Sequence, residues 1–421
     1  MTTQEKDKKH LWHPLTQHQT AQDPVVITRA KGAVMYDEDG KEYIDGIASW
    51  YTAMYGHGNE HITTAMHKQM QALDFVMFSG FTHPPAITLA EKLMEILPEN
   101  QEKIFFNDNG STAVEAAIKM AIQLYHNKGD KRDTLIAFED GFHGDTFGAM
   151  SASGLSSYNG PFEDFLLKVV RIPTPQEDNL EEVMAKLDAV LATNKCAAFI
   201  FEPLVQGAAG MKFHSVNGLD ALIKKCRKAN VLTIADEIMT GFGKTGTIFA
   251  CDQLENKPDI MCLSKALTAG MFPLSITSCT QAVFDSFLSD EVHKGFFHAH
   301  TFSAHPVGCA AAIAGMEVLQ SSEITDSRKR IEKAHQVFAQ QVAAHPKVRD
   351  VRTKGVIIAI DLNIEMERYG NLRDELYQFF MKRGVALRPL GNTVYVLPPY
   401  VITDNELTQV YTAIQEALDH F

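Results

Sequence analysis

Apolar and polar residues alternate along the middle of the chain in a way that predicts strands separated by helices. Between about Lys103 and Thr280, short runs of β-branched and aromatic residues are interrupted by segments with helical spacing, such as STAVEAAIKMAIQLYHNK. The predicted strands are KIFF, TLIAF, KVVRIP, AAFIFEP, VLTIADE, DIMCLS and LSITSC. Continuously apolar strands that alternate with helices are typical of a largely parallel sheet covered on both faces, so we predict an α/β fold.

The pattern changes after about Ser321 and predicts a separate α+β layer there. A long helix, RIEKAHQVFAQQVAAH, is followed by VRDVRTKGVIIAIDL, a second helix, two short strands and a terminal helix. Near the N-terminus, GAVMYDEDGKEYIDGIAS has the pattern of a hairpin that turns at 37–40. We expect residues 1–65 to pack with a small C-terminal domain, 322–421, and residues 66–321 to form the large domain.

Composition and charge narrow the possible partners. The 421 residues are too many for one hydrophobic core, and 45% hydrophobic with 22% charged residues is ordinary globular usage. The formal net charge is -13, and lysines and arginines are scattered rather than clustered. Nucleic-acid binding requires a basic patch, so we predict no nucleic-acid partner.

Cysteine spacing and the N-terminus indicate the compartment. The six cysteines form no CxxC pair and no pattern with histidine at zinc-ligand spacing, so we predict reduced thiols and no metal site. The N-terminal MTTQEKDKKH lacks an apolar stretch, and no run approaches the roughly 18–20 apolar residues of a membrane span. We expect a cytoplasmic protein without a membrane segment.

Two charged residues that follow apolar strands suit a single cofactor. Asp236 lies at the end of VLTIADE, and Lys265 follows DIMCLS. Each alone has an ordinary explanation, a helix cap for the aspartate and a surface amine for the lysine. Together they fit an aldehyde carried on a pyridine ring, because an unprotonated lysine forms an imine and a carboxylate keeps the ring nitrogen protonated.

Two further segments could hold the rest of such a cofactor. Asn109-Gly110-Ser111-Thr112 lies between a predicted strand and a predicted helix, where N–H groups and hydroxyls bind phosphate, although a simple helix cap has the same pattern. In GFHGDT, Phe142 lies in a glycine-flanked turn and could stack on a pyridine face. A core phenylalanine would fit that turn equally well.

Six segments, in this order, resemble the class III aminotransferases of fold type I: NGSTAVEAAIKMA, GFHGDTFGAMS, FEPLVQGAAGM, IADEIMTGFGKTG, DIMCLSKALTAG and HAHTFSAHPVGCAAA. The resemblance covers nearly the whole chain. It implies pyridoxal 5'-phosphate as cofactor, small-molecule substrates, a mixed and mostly parallel sheet in the large domain, and a homodimer with shared active sites. Within the family, LWHPLTQ, DGIASWY, VMFSGFTHPPAI and ALRPLGNTVYVLPPY are most similar to the biotin-pathway enzymes that convert 8-amino-7-oxononanoate into 7,8-diaminononanoate.

The resemblance also implies roles for individual residues. Those implied to act on the cofactor are Lys265 as Schiff-base lysine and proton carrier, Asp236 as partner of the pyridine nitrogen, Phe142 against the ring, and Gly110, Ser111 and the neighbouring subunit's Thr301 at the phosphate. Those implied to contact substrate are Trp50, Tyr51, His300 and Arg388. An arginine suits a carboxylate at the end of an apolar chain. Arg388 could instead form a structural ion pair, and Trp50 could fill the core.

Three departures from the family pattern leave the amino donor open. Leu15 stands where enzymes that use S-adenosylmethionine typically have tyrosine, His300 where many have proline, and Lys244 where they have arginine. All three touch the region implied to bind the donor, and a lysine does not reproduce a bidentate guanidinium. We expect S-adenosylmethionine, with lysine as the alternative.

Three other functions remain possible from the sequence. The first is an ω-amino acid or diamine transaminase that uses pyruvate or 2-oxoglutarate. The second is a mutase similar to glutamate-1-semialdehyde aminomutase, against which the LWHP and RPLGN segments argue. The third is a non-catalytic cofactor-binding homologue, which the presence of both Lys265 and Asp236 disfavours.

Overall fold

The strands and helices follow the predicted alternation through the middle of the chain. The computed structural model describes residues 1–155, 159–364 and 370–421; residues 156–158 and 365–369, which fall inside the two predicted domains, lie outside the described residues. The strands, numbered in chain order, are β1 Ile27–Lys31, β2 Val34–Asp37, β3 Glu42–Asp45, β4 Lys103–Asn107, β5 Thr134–Phe138, β6 Val169–Ile172, β7 Cys196–Phe201, β8 Val205–Gln206, β9 Lys212–Phe213, β10 Leu232–Asp236, β11 Ile260–Leu263, β12 Ser275–Cys279, β13 Val348–Lys354, β14 Ile357–Leu362, β15 Val385–Ala386 and β16 Thr393–Val396.

The helices cover both faces of these strands. They are α1 Thr3–His10, α2 Ala48–Tyr51, α3 Glu60–Ala72, α4 Pro84–Met94, α5 Gly110–Asn127, α6 Phe147–Ala152, α7 Leu180–Thr193, α8 Val216–Lys228, α9 Gln281–Asp285, α10 Pro306–Leu319, α11 Ser322–Val342, α12 Asn371–Lys382 and α13 Asp404–His420. Short 3-10 turns lie at Gly160–Phe165, Ala250–Gln253, Lys265–Thr268 and Val292–Lys294. Within the described ranges, no helix is both long and apolar enough to cross a membrane.

A seven-stranded mixed sheet in the described part of the chain forms the centre of the fold. Its order is β4-β12-β11-β10-β7-β5-β6, and the run from β11 to β6 is parallel throughout. β12 pairs antiparallel with both β11 and β4. The predicted α/β class with a mostly parallel sheet is therefore confirmed. Parallel neighbours place their carboxyl ends at one edge, which is where ligands bind in such sheets.

The sheet is buried on both faces because alternate side chains enter two separate cores. Ile136 and Phe199 belong to one apolar cluster, whereas Leu135 and Ala198 belong to the other, together with the alanine-rich face of α5. Small residues let α5 lie close to the sheet. Burial of each phenylalanine or isoleucine contributes about 1.5–3 kcal/mol to stability, so these strands provide a rigid support for the loops at their ends.

The N-terminal hairpin shares a sheet with the C-terminal part of the chain. β2 and β3 pair antiparallel around the turn at 38–41, and β3 pairs in parallel with β15, with Ile44 opposite Val385. A second small sheet has the order β13-β14-β16. Arg388 follows β15, so this pairing brings it close to α2, which contains Trp50 and Tyr51.

Candidate active site

Asp236 and Lys265 come from neighbouring strand ends. Asp236 is the last residue of β10 and pairs in register with Cys262 of β11, and Lys265 follows β11 at the start of a 3-10 turn. Lys265 has φ of 50°, a left-handed conformation that is uncommon for residues other than glycine. The structure therefore places both predicted residues at the same edge of the central sheet.

Asp236 is held by a hydrogen bond to His143, a contact that the sequence did not reveal. The Asp236 carboxylate is 3% exposed; its Oδ2 lies 2.7 Å from His143 Nδ1, and its Oδ1 accepts the N–H of Ile238 at 3.1 Å. The other ring nitrogen of His143 is buried without a hydrogen-bond partner in the described part of the chain. The pair fixes the carboxylate's orientation, and the spacing of 93 residues gives no local sequence signal.

The environment of Lys265 favours its unprotonated amine. Burial lowers the pKa of Lys265, against the opposing effects of the Asp236 and Glu202 carboxylates. Its Nζ lies 5.4 Å from the centre of the Tyr51 ring. A neutral amine is the form that attacks a carbonyl or accepts a proton from carbon, so the site suits both roles.

The start of α5 has the features of an anion site. Asn109 is the N-cap and accepts the N–H of Thr112 at 3.1 Å, so the helix cap is provided without Ser111. Ser111 Oγ instead accepts the N–H of Asp145 at 3.3 Å. A Cβ on Gly144 would lie 2.1 Å from Ser111 Oγ, so glycine is required for this close approach. Gly110 and Ser111 therefore present the positive end of an 18-residue helix beside the Phe142 turn.

Trp50 and Tyr51 belong to an unusual left-handed turn. All four residues of α2 have positive φ, between 45° and 70°. Such a run is strained and persists only where surrounding contacts enforce it, which is common at functional sites. Tyr51 is buried and its hydroxyl donates to the hydroxyl of Tyr395 at 3.0 Å, whereas Trp50 is 42% exposed. The turn thus presents one aromatic ring toward Lys265 and one toward solvent.

Arg388 is an exposed cation next to Trp50. Its guanidinium carbon lies 5.0 Å from the centre of the Trp50 ring, close enough for a cation–π contact. In the described residues it makes no hydrogen bond or ion pair, so the alternative of a structural ion pair is not observed. Trp50 does not fill the core either. The consecutive residues Tyr51 and Trp50 therefore link Lys265 on one side to Arg388 on the other.

The remaining predicted residues make no hydrogen bond or ion pair with Lys265 or Asp236 among the described residues of one chain. Phe142 is 43% exposed, and Thr301 is exposed with no side-chain hydrogen bond to the described residues. His300 Nε2 lies 3.1 Å from His298 Nε2, and its Nδ1 is 3.8 Å from Asp108. Leu15 is half-exposed in the N-terminal segment.

Lys244, one of the three departures expected to touch the donor region, lies inside the protein. It is fully buried, and its Nζ donates to the carbonyl of Gly241 at 2.9 Å. Burial, together with the charge on Lys265, lowers the pKa of Lys244 to about 7, and Glu237 opposes both effects. A second, fully buried lysine therefore lies close enough to Lys265 for the charge of one to lower the pKa of the other.

The sequence reasoning missed Glu202, the residue after β7. Glu202 is 4% exposed, and its carboxylate accepts the N–H groups of Phe142 and Gly207, each at 3.0 Å. The strand-end carboxylate in IFEP was a possible signal, because it has the same position relative to β7 as Asp236 and Glu237 have near the end of β10.

Comparison with known proteins identifies the family. The chain matches the class III aminotransferase family over residues 16–418. It is 43% identical, over 97% of its length and 98% of the relative's, to the adenosylmethionine-8-amino-7-oxononanoate aminotransferase of Synechococcus elongatus. The corresponding protein of Geobacter sulfurreducens is 35% identical over 99% of this chain and 97% of the relative.

A solved structure shows the same fold. The crystal structure of adenosylmethionine-8-amino-7-oxononanoate aminotransferase from Methanocaldococcus jannaschii superposes with a TM-score of 0.94 at 31% identity, covering 99% of this chain and 98% of that one. The resemblance seen in the six sequence segments is confirmed. The chain belongs to the class III aminotransferases, pyridoxal-phosphate-dependent enzymes of fold type I.

Proposed function

We propose that this enzyme transfers an amino group to 8-amino-7-oxononanoate, forming 7,8-diaminononanoate in biotin biosynthesis, with S-adenosylmethionine or lysine as donor. The relatives named for this reaction support the proposal. The structural observation that carries it is the order of Lys265, Tyr51, Trp50 and Arg388, a guanidinium with no ion-pair partner among the described residues. A substrate with a reacting ketone, an apolar chain and a distant carboxylate matches that order, because guanidinium binds carboxylate and aromatic rings pack on methylenes.

The residues present fit pyridoxal phosphate. The N-terminus of α5 at Gly110 and Ser111 suits the phosphate, and Gly144 packs closely against Ser111 there. Asp236, hydrogen-bonded to His143 on one side, suits a protonated pyridine nitrogen, and the Phe142 ring is exposed for stacking. Lys265 has the lowered pKa that imine formation needs. When bound, the cofactor supplies an aldehyde that takes up the amino group and a ring that accepts electrons.

The residues of this chain then divide the work. The Asp236 carboxylate holds the proton on the ring nitrogen, and His143 orients that carboxylate. Lys265 Nζ removes the proton from the donor carbon and returns one to the former ketone carbon of the acceptor. Arg388 binds the carboxylate, while Trp50 and Tyr51 pack along the chain. Nitrogen is conserved, since the donor leaves as a carbonyl compound and the acceptor leaves as an amine.

We also propose a homodimer in which each active site receives Thr301 from the other subunit. Large apolar side chains are exposed in several segments, including Trp12 (91%), Phe81 (56%), Phe297 (73%) and Phe302 (54%). Exposed apolar side chains that lie close together are typical of a protein interface, and Phe297 and Phe302 belong to one segment. Thr301 lies between the last two, in the same exposed segment. A closed symmetric dimer would bury these side chains.

Cytoplasmic localisation fits the six free, buried cysteines.

Two half-reactions test the proposed function. We expect S-adenosylmethionine or lysine, mixed separately with the purified holoenzyme, to change the absorbance of the bound cofactor, and 8-amino-7-oxononanoate to restore it. Recovery after one donor alone identifies that donor. No response to either donor, together with turnover of an ω-amine and pyruvate, would contradict the proposal and support an ω-transaminase.

Arg388 provides a second, more specific test. We expect Arg388→Ala to raise KM for 8-amino-7-oxononanoate by about 10–100-fold, because a charge-assisted hydrogen bond contributes about 1.5–3 kcal/mol. Arg388→Lys should recover part of this loss, since it restores charge without the planar fork. Steady-state kinetics at saturating donor measure both. Arg349→Ala, at an exposed arginine beside Asp361, is the matched control. An unchanged KM in Arg388→Ala would remove Arg388 from the substrate site.

A further inference from the structure

Glu202 connects two turns that border the cofactor site. One carboxylate oxygen, Oε2, accepts the N–H of Phe142, and the other, Oε1, accepts the N–H of Gly207, both at 3.0 Å. The two turns come from different parts of the chain, after β5 and after β8. Because Glu202 follows a fully buried strand, its backbone is fixed, and each oxygen holds one turn against the end of the sheet.

The carboxylate lies among other charged and titratable groups. The charges of His143 and Asp236 act on Glu202, and Glu202 acts in turn on Lys265 after β11 and on Tyr51 in α2. His214 donates to the Glu202 backbone carbonyl at 3.0 Å. Burial raises the pKa of Glu202 to about 7; Asp236 raises it as well, whereas His143 and the two N–H groups lower it. The ionisation of Glu202 therefore depends on the charges of both neighbouring side chains as well as on burial.

We propose that Glu202 is a positioning residue that holds the Phe142 and Gly207 turns around the cofactor only while it is ionised. This inference rests on the proposed aminotransferase function. An ionised carboxylate accepts hydrogen bonds with both oxygens and more strongly than a neutral acid does. Protonation turns one oxygen into a donor, which weakens the hold on one turn. The Phe142 ring then loses the fixed orientation that stacking requires.

The direction of the pH effect follows from this. The turns are held when the pH rises above neutrality, where Glu202 is ionised, and they loosen as the pH falls through about 7. Lys265 and the substrate amine also titrate, so the pH profile of activity alone does not isolate Glu202. The exchange of individual backbone N–H groups does, because the Phe142 and Gly207 amides are its direct partners.

Glu202→Gln in the holoenzyme separates ionisation from shape. The amide oxygen accepts one N–H, but the amide nitrogen faces the other N–H with a donor. At matched pH above neutrality, we expect peptides containing Phe142 and Gly207 to exchange hydrogen for deuterium about tenfold faster than in the wild type, in at least one of the two turns. As the pH rises through neutrality, the protection of these amides from exchange, corrected for the intrinsic effect of pH on exchange, should increase in the wild type and stay constant in the variant. The ratio of wild-type to variant catalytic efficiency should rise over the same range.

Glu237→Gln is the matched control. Glu237 is also buried with a pKa raised by burial to about 7, but its Oε1 accepts the N–H of Cys251 at 2.7 Å. Faster exchange there should appear at Cys251 and leave the two turns unchanged. If Glu202→Gln does not fold, Glu202→Asp, which keeps the charge on a shorter chain, should still show the pH-dependent step.

Equal protection of the Phe142 and Gly207 amides in wild type and Glu202→Gln, or the absence of a pH step in both wild type and Glu202→Asp, would overturn the proposal. The exchange measurement needs no substrate. Failure to aminate 8-amino-7-oxononanoate would therefore count against the proposed function and leave the positioning role of Glu202 to be decided by exchange alone.

Discussion

Lys265→Ala is expected to reduce turnover by about 10³–10⁴-fold, the largest single effect in the site. Lys265 is the amine positioned beside Tyr51, and its pKa is lowered by burial, so it alone combines nucleophile and proton carrier. The variant removes both functions and leaves a space that small molecules can enter. Steady-state rates and the absorbance of the bound cofactor measure the loss.

Two controls make this result specific. Lys329→Ala removes an exposed lysine from α11 and should leave turnover unchanged. Adding a small primary amine to Lys265→Ala should recover part of the activity, because the amine can occupy the vacated space and carry the proton. Lys244 is buried nearby, and full turnover in Lys265→Ala would mean that Lys244 or another group acts instead. That outcome would end the assignment of Lys265.

The sequence was sufficient for the central sheet because its strands carry their own signals. TLIAF coincides with β5, and KIFF lies within β4, since continuously apolar runs are buried on both faces wherever they occur. The reversed direction of β12 has no such signal. LSITSC was predicted as one more strand of this sheet, and only its pairing with β4 and β11 shows that it runs in the opposite direction to both.

Strand ends and family resemblance predicted part of the site. Asp236 and Lys265 follow from apolar strands that end in charge. His143 and Glu202 act through contacts with residues 93 and 60 positions away. The strand-end position of Glu202 was visible in the sequence, but neither pair of partners leaves a local pattern. The left-handed conformation of Trp50 and its neighbours was also unexpected, because those residue types have no intrinsic preference for it. The surrounding packing determines it.

Asp236→Asn is expected to slow both half-reactions by about 10²–10³-fold, the range found when a preorganised electrostatic contact is removed. Asparagine keeps the size of the side chain and can still accept the N–H of Ile238. It carries no charge, so it cannot hold a proton on the pyridine nitrogen, and it replaces one of the two oxygens that contact His143 and Ile238 with an amide nitrogen. Rapid mixing with donor alone, and then with keto acid alone, measures each half-reaction separately.

Equal losses in the two half-reactions are the distinguishing result, because the ring nitrogen acts in both, whereas Arg388 should matter mainly for the substrate whose carboxylate it binds. Asp252→Asn is the control, since the Asp252 carboxylate also accepts a backbone N–H, that of Phe249 at 2.8 Å, but lies outside the site. That variant should keep wild-type rates. If Asp236→Asn instead raised only KM, or lost no more activity than Asp252→Asn, the carboxylate would be structural, and the ring nitrogen would need a different partner.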